Sequence, residues 1–107
     1  MNPAEWFDGL VEQMSGRPDV SVGTGFGSHP GLRFRGRIYA MLLDQQPVVK
    51  LPAYRCQQLV AAGEATAFTR GQGRPLQEWV CLEPPARPRW SALVEEAYDY
   101  VGAGGTS

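Results

Sequence analysis

At 107 residues the chain is long enough to bury one hydrophobic core without disulfides or metal, and its length suits a single domain. Hydrophobic residues make up 43% and charged residues 20%, the balance of a soluble globular protein, and no apolar run approaches the roughly 18 residues of a membrane helix. The net charge of −1 hides a segregation. Residues 33–74 carry seven basic side chains against two acidic ones, a net of +5, whereas residues 1–32 and 75–107 each carry −3. Such a bipolar surface suits an acidic partner. The simpler arrangement is that opposite charges meet across helix–sheet contacts.

The opening MNPAEWFDGL lacks the basic start of a signal peptide, so a cytoplasmic location is expected, with Cys56 and Cys81 as reduced thiols. Asn2-Pro3-Ala4-Glu5 has the form of a capping box, and Trp6, Phe7, Leu10, Val11 and Met14 follow at helical period. Gly16-Arg17-Pro18-Asp19 ends that helix. Val20 and Val22 then alternate with Ser21 and Gly23 as in a short strand. The glycine-rich run Gly23 to Gly31 has GxGxG spacing but leads into another strand pattern and has no Gly-Lys-Ser/Thr. It therefore reads as a loop without phosphate-binding function. His29 is the sole histidine, which excludes multi-histidine metal sites.

The stretch Gly31 to Leu51, GLRFRGRIYAMLLDQQPVVKL, reads as a three-stranded meander at the centre of the domain. Arg35-Gly36 is placed as a primed two-residue turn, Arg37 to Leu43 as the longest strand, and Asp44-Gln45-Gln46-Pro47 as the next break. In that register Leu32, Phe34, Arg37, Tyr39 and Met41 share one face, and Arg33, Ile38, Ala40 and Leu42 the other. Helices of so small a domain cover one face, so Tyr39 with Met41, or else Ile38 with Leu42, are expected to be partly exposed. Pro52 to Ala62 follows as a second helix with Ala53, Cys56, Leu59 and Val60 on its apolar side and Gly63 at its end. Thr66 to Phe68 is a short strand, Thr69 to Gln77 a loop, and Glu78 to Leu82 a strand apolar on both faces. Pro84, Pro85 and Pro88 form a rigid connector. Trp90, Leu93, Val94, Ala97, Tyr98 and Val101 then mark the clearest amphipathic helix. The expected architecture is α+β, an antiparallel sheet of five to six strands with three helices in the order α-β-β-β-β-α-β-β-α. It occupies residues 1–101, with 102–107 as a flexible tail.

Phe26-Gly27, Gly31-Leu32, Gly36, Ile38-Tyr39-Ala40 and Lys50-Leu51 together resemble the N-terminal domain of the TfoX/Sxy competence regulators. Phe68, Gly73-Arg74-Pro75-Leu76, Trp79 and the closing Trp90, Leu93 and Ala97 fit the same pattern, which is also somewhat similar to the MmcQ/YjbR group. The resemblance spans about residues 5–101 and implies a secretion-chaperone-like antiparallel sheet flanked by helices, with a regulatory role. It supplies no catalytic or ligand residues, and full-length TfoX proteins have a second domain that this sequence lacks.

Three classes of function follow. The first is a non-catalytic regulatory or protein-interaction domain, engaging a protein partner or a second copy through a surface around Arg33, Arg35, Arg37, Tyr39, Lys50 and Arg74. The second is nucleic-acid binding by the same arginines with Tyr39 or Trp79 stacking a base, against which stands the pI of 5.7. The third is an enzyme, for which the sequence offers no paired carboxylates, cofactor loop or placed nucleophile. No cofactor, metal or membrane partner is expected.

Overall fold

The computed structural model describes residues 2–23, 30–70 and 74–104, with the side chains of 70, 74 and 75 outside the description. Helix α1 (Pro3–Ser15) begins with the expected capping box. The Asn2 carboxamide accepts from the Glu5 N–H at 2.8 Å, and the Glu5 carboxylate accepts from the Asn2 N–H. Strands β1 (Val20–Val22), β2 (Gly31–Phe34), β3 (Arg37–Leu43) and β4 (Gln46–Lys50) follow. Then come α2 (Ala53–Ala61), β5 (Ala65–Arg70), β6 (Arg74–Leu82), a 3-10 turn over Pro84–Arg89 and α3 (Trp90–Gly102). The six strands form one antiparallel sheet in the order β1-β2-β3-β4-β6-β5. The expected α+β architecture and element order are those observed. No helix among the described residues is long and apolar enough to cross a membrane.

Both tight turns of the meander are of the primed kind. Arg35 and Gly36 have φ of +50° and +83°, and Asp44 and Gln45 have +50° and +67°. The second turn is shorter than the expected four-residue break, because Gln46 and Pro47 belong to β4. Leu43 and Gln46 close the two-residue turn, so the Pro47 nitrogen points away from β3. Pairing of β4 with β6 begins only at Val48, and the missing N–H therefore breaks no ladder bond. A larger correction concerns the loop placed over Thr69 to Gln77. Its ends are strand, since β5 runs to Arg70 and β6 starts at Arg74; residues 71–73 lie outside the described set, as do 24–29 of the glycine-rich run and 105–107 of the tail. Of that tail, Gly102 is the last residue of α3.

A bulge in β3 decides which side chains meet the helices. Arg33 pairs with Ile38 but Leu32 pairs with Ala40, so Tyr39 is an extra residue. Tyr39 turns inward, with its ring 5.6 Å from that of Tyr98 and its hydroxyl 3.6 Å from the Met14 sulfur. The alternation beyond it is inverted. Ala40 and Leu42 join Leu32, Phe34 and Tyr39 in the core, while Met41 falls on the face of Arg33 and Ile38. The expected exposure therefore fails for both proposed pairs. Tyr39 is 0% exposed and Met41 and Leu42 are each 5% exposed, leaving only Ile38 half-buried.

The helices share one face of the sheet, α1 over β1–β2, α3 over β2–β4 and α2 over β5–β6. Their buried residues, including Phe7, Leu10, Met14, Leu59, Trp90 and Leu93, form one cluster with Val49, Leu51, Val80 and Leu82 of the sheet. Trp6 packs edge-on to Trp90 at 5.3 Å and donates its indole N–H to the Ser91 hydroxyl at 3.0 Å, which locks α1 to α3.

Candidate interaction surface

The six residues proposed from sequence do not form one patch. The turn places Arg35 outward, where its Nε donates to Asp19 at 3.1 Å. Strand alternation sends Arg33 to the helix-free face and leaves its Nε buried without a hydrogen-bond partner. Arg37 pairs with Phe34, and both line a depression beside the end of α3 with Val101 and Gly102. Tyr39 is in the core. Lys50 is only 7% exposed, with its ammonium 3.6 Å from a Glu78 carboxylate oxygen and 5.4 Å from the centre of the Trp79 ring. Arg74 opens β6 and pairs with Arg70 in the backbone register; its side chain is outside the described set.

The charge segregation is resolved partly inside the molecule. Arg55 of α2 clamps Glu96 of α3 through two bonds of 2.9 and 3.1 Å, and Arg17 clamps Glu95 while lying over the Tyr98 ring at 5.0 Å. Hydrogen bonding to these carboxylates raises the pKa of both guanidinium groups further above an already high value. Arg89 pairs with Glu64 in the same manner. Three of the seven basic residues of the central segment, Arg35, Lys50 and Arg55, are thus held by acidic partners.

A different surface stands out around α2. The helix has one charged residue, Arg55, already engaged by Glu96. Its buried stripe is Cys56 and Leu59; Val60, expected on that side, is 42% exposed and Tyr54 is 66% exposed. The cause is the helical period. Val60 stands 100° round from Leu59, and the stripe that α2 rests on β5 and β6 is too narrow to include both. Gln57, Gln58 and Ala61 complete an exposed, uncharged face.

Depressions flank this face on both sides. Toward α3, Leu51, Pro52, Tyr54, Arg55, Glu96 and Tyr100 line one of about 320 Å³. Toward the β5–β6 hairpin lies a groove of about 440 Å³, walled by Val60 and Ala61 on one side and by Ala67, Leu76 and Trp79 on the other. Gln57 and Gln77 are the polar side chains at its rim, and the Cys56 thiol contributes to its base. Burial pushes that thiol up to about 11, and burial also raises Cys81, so both sulfurs are protonated near neutral pH and are poor nucleophiles. No cluster of three potential metal ligands occurs among the described residues.

Sequence reasoning missed Tyr54 and Val60. The available signal was two apolar residues on α2 lying off the Cys56–Leu59 stripe, in a helix with a single charge. The groove had no such signal, because its far wall comes from β6 residues that read as loop. Compared with known proteins, the chain has no significant match among protein-family models, curated proteins or solved structures.

Proposed function

We propose that the chain is a small non-catalytic protein-interaction domain, regulatory in the manner that its resemblance to the TfoX N-terminal domain implies, and that α2 is its contact element. The observation that carries this reading is the exposure of Tyr54 and Val60 on an uncharged helix face. Interface centres are depleted in charge and enriched in aromatic residues, and the two flanking depressions offer sockets for a partner's side chains. The alternative of a nucleic-acid-binding sheet draws less support, since Arg33, Arg35 and Arg37 point three ways and Lys50 is buried beside Glu78.

A photo-crosslinking amino acid at position 54, introduced in living cells, tests the reading against the same group at position 12 on the exposed side of α1. A discrete adduct is expected from position 54 alone, and Val60→Asp should abolish it. Equal adduct patterns from both positions would overturn the assignment of α2 as the contact element.

A further inference from the structure

The groove beside α2 has an unusual second wall, because β5 is the outermost strand of the sheet. Its backbone orientation follows from one hydrogen bond. The Glu83 N–H donates to the Glu64 carbonyl at 2.9 Å, which makes Glu64 and Glu83 a bonded pair. Bonded pairs alternate along an antiparallel ladder, so Thr66 bonds Cys81 while Ala65 and Ala67 turn their N–H and C=O groups outward. The Ala67 side chain lines the groove and is exposed, so an open backbone row and an apolar socket sit side by side. The usual defences of an edge strand are missing here. Ala65 to Thr69 contain no proline and no charge, whereas the opposite edge, β1, is only three residues long.

We infer that β5 accepts an extended peptide segment as a seventh strand, with an uncharged, branched or aromatic side chain of that segment entering the groove between α2 and β5–β6. This rests on the interaction reading above and names the partner's chemistry. The exposed backbone requires a partner with matching N–H and C=O groups, which an extended chain supplies. The groove walls carry no charge, so the entering side chain is uncharged too. Its size argues against a second copy of β5. That strand would present only Ala65 or Ala67 on the helix side, and a methyl group leaves a cavity of about 440 Å³ largely unfilled. Alternate residues of the added strand face away from the helices, so specificity resides in every second position.

The test uses the full chain, isotopically labelled for NMR, and a capped hexapeptide alternating threonine with leucine. Saturable amide shifts are expected at Ala65, Ala67 and Val60, with slowed hydrogen exchange at the Ala65 and Ala67 amides. The same peptide with aspartate for leucine should bind at least about tenfold more weakly. Ala67→Pro removes an outward N–H and no ladder bond, so the protein folds and loses about tenfold or more in affinity. Val60→Asp, at a half-exposed site, should weaken binding independently. Unchanged affinity in Ala67→Pro would place the peptide on the helix alone, which overturns strand addition and leaves the α2 contact intact. Absence of saturable shifts at millimolar peptide overturns the inference while position-54 crosslinking still reports on α2. Self-association in sedimentation that Ala67→Pro removes would put a second copy on β5, which also overturns it.

Discussion

Replacing Gly36 with valine isolates the backbone requirement of the turn on which the meander register depends. Gly36 has φ of +83°, and a Cβ built on it meets nothing within 4 Å. The cost is therefore conformational, with no steric term from neighbours. A left-handed conformation costs an L-residue about 1–2 kcal/mol, and more for a β-branched one, which gives roughly 2–3 kcal/mol for Gly36→Val. For a domain of this size that corresponds to a fall in Tm of roughly 8–20 °C. Gly9→Ala is the matched control. It lies within α1, a Cβ there also meets nothing within 4 Å, and its φ is not in the left-handed region. Alanine at that site should stabilise by about 0.5–1 kcal/mol through helix propensity. The same added carbon thus has opposite signs at two open sites. Urea melts of both variants read this directly. Gly36→Val within about 0.5 kcal/mol of wild type, comparable to a neutral surface change, would refute the turn and the register built on it.

Alkaline pH tests the burial of Cys56. Its thiol ionises at about 11 rather than 9.0 because it is desolvated, so above pH 9 the unfolded chain releases its proton first and stability falls through that window. The slope is at most about 1.4 kcal/mol per pH unit, and Tyr39, also raised by burial, adds to it above 10.0. Urea melts should show Cys56→Ala with a flatter decline between about pH 9 and 10; identical slopes would contradict the burial. At the Lys50–Glu78 pair, Lys50→Met keeps the packed stem and removes a desolvated charge, so stability should stay within about 1 kcal/mol of wild type. Glu78→Gln strands the ammonium and should cost more, about 1–2 kcal/mol after allowing for partial exposure of the carboxylate. Melts showing the reverse order would mean that the pair is not what holds Lys50.

Ion pairing shows how far charge counts reach. The sequence showed a basic centre between acidic ends, and the structure joins them in specific pairs, Arg35 with Asp19 and Arg55 with Glu96. Counts alone did not reveal that Lys50 instead meets Glu78 on a neighbouring strand, because that contact depends on β6 pairing with β4.

Local chemistry was sufficient for the helices, the turn at Arg35-Gly36 and the element order. A capping box, an apolar stripe at helical period and a glycine at positive φ each act over a few residues, so they are legible along the chain. The β3 bulge is different. Nothing between Arg37 and Met41 marks Tyr39 as an extra residue, and only its packing against Tyr98 and Met14 from two helices turns it inward. One inserted residue then reverses every later side chain of the strand, because the period of a strand is two. The ends of β5 and β6 were likewise hidden, since glycines and proline there mimic a loop and only cross-strand pairing makes them strand. The groove beside α2 exists because those two strands extend past a helix that rests on a narrow stripe, a relation between distant segments that no local pattern encodes.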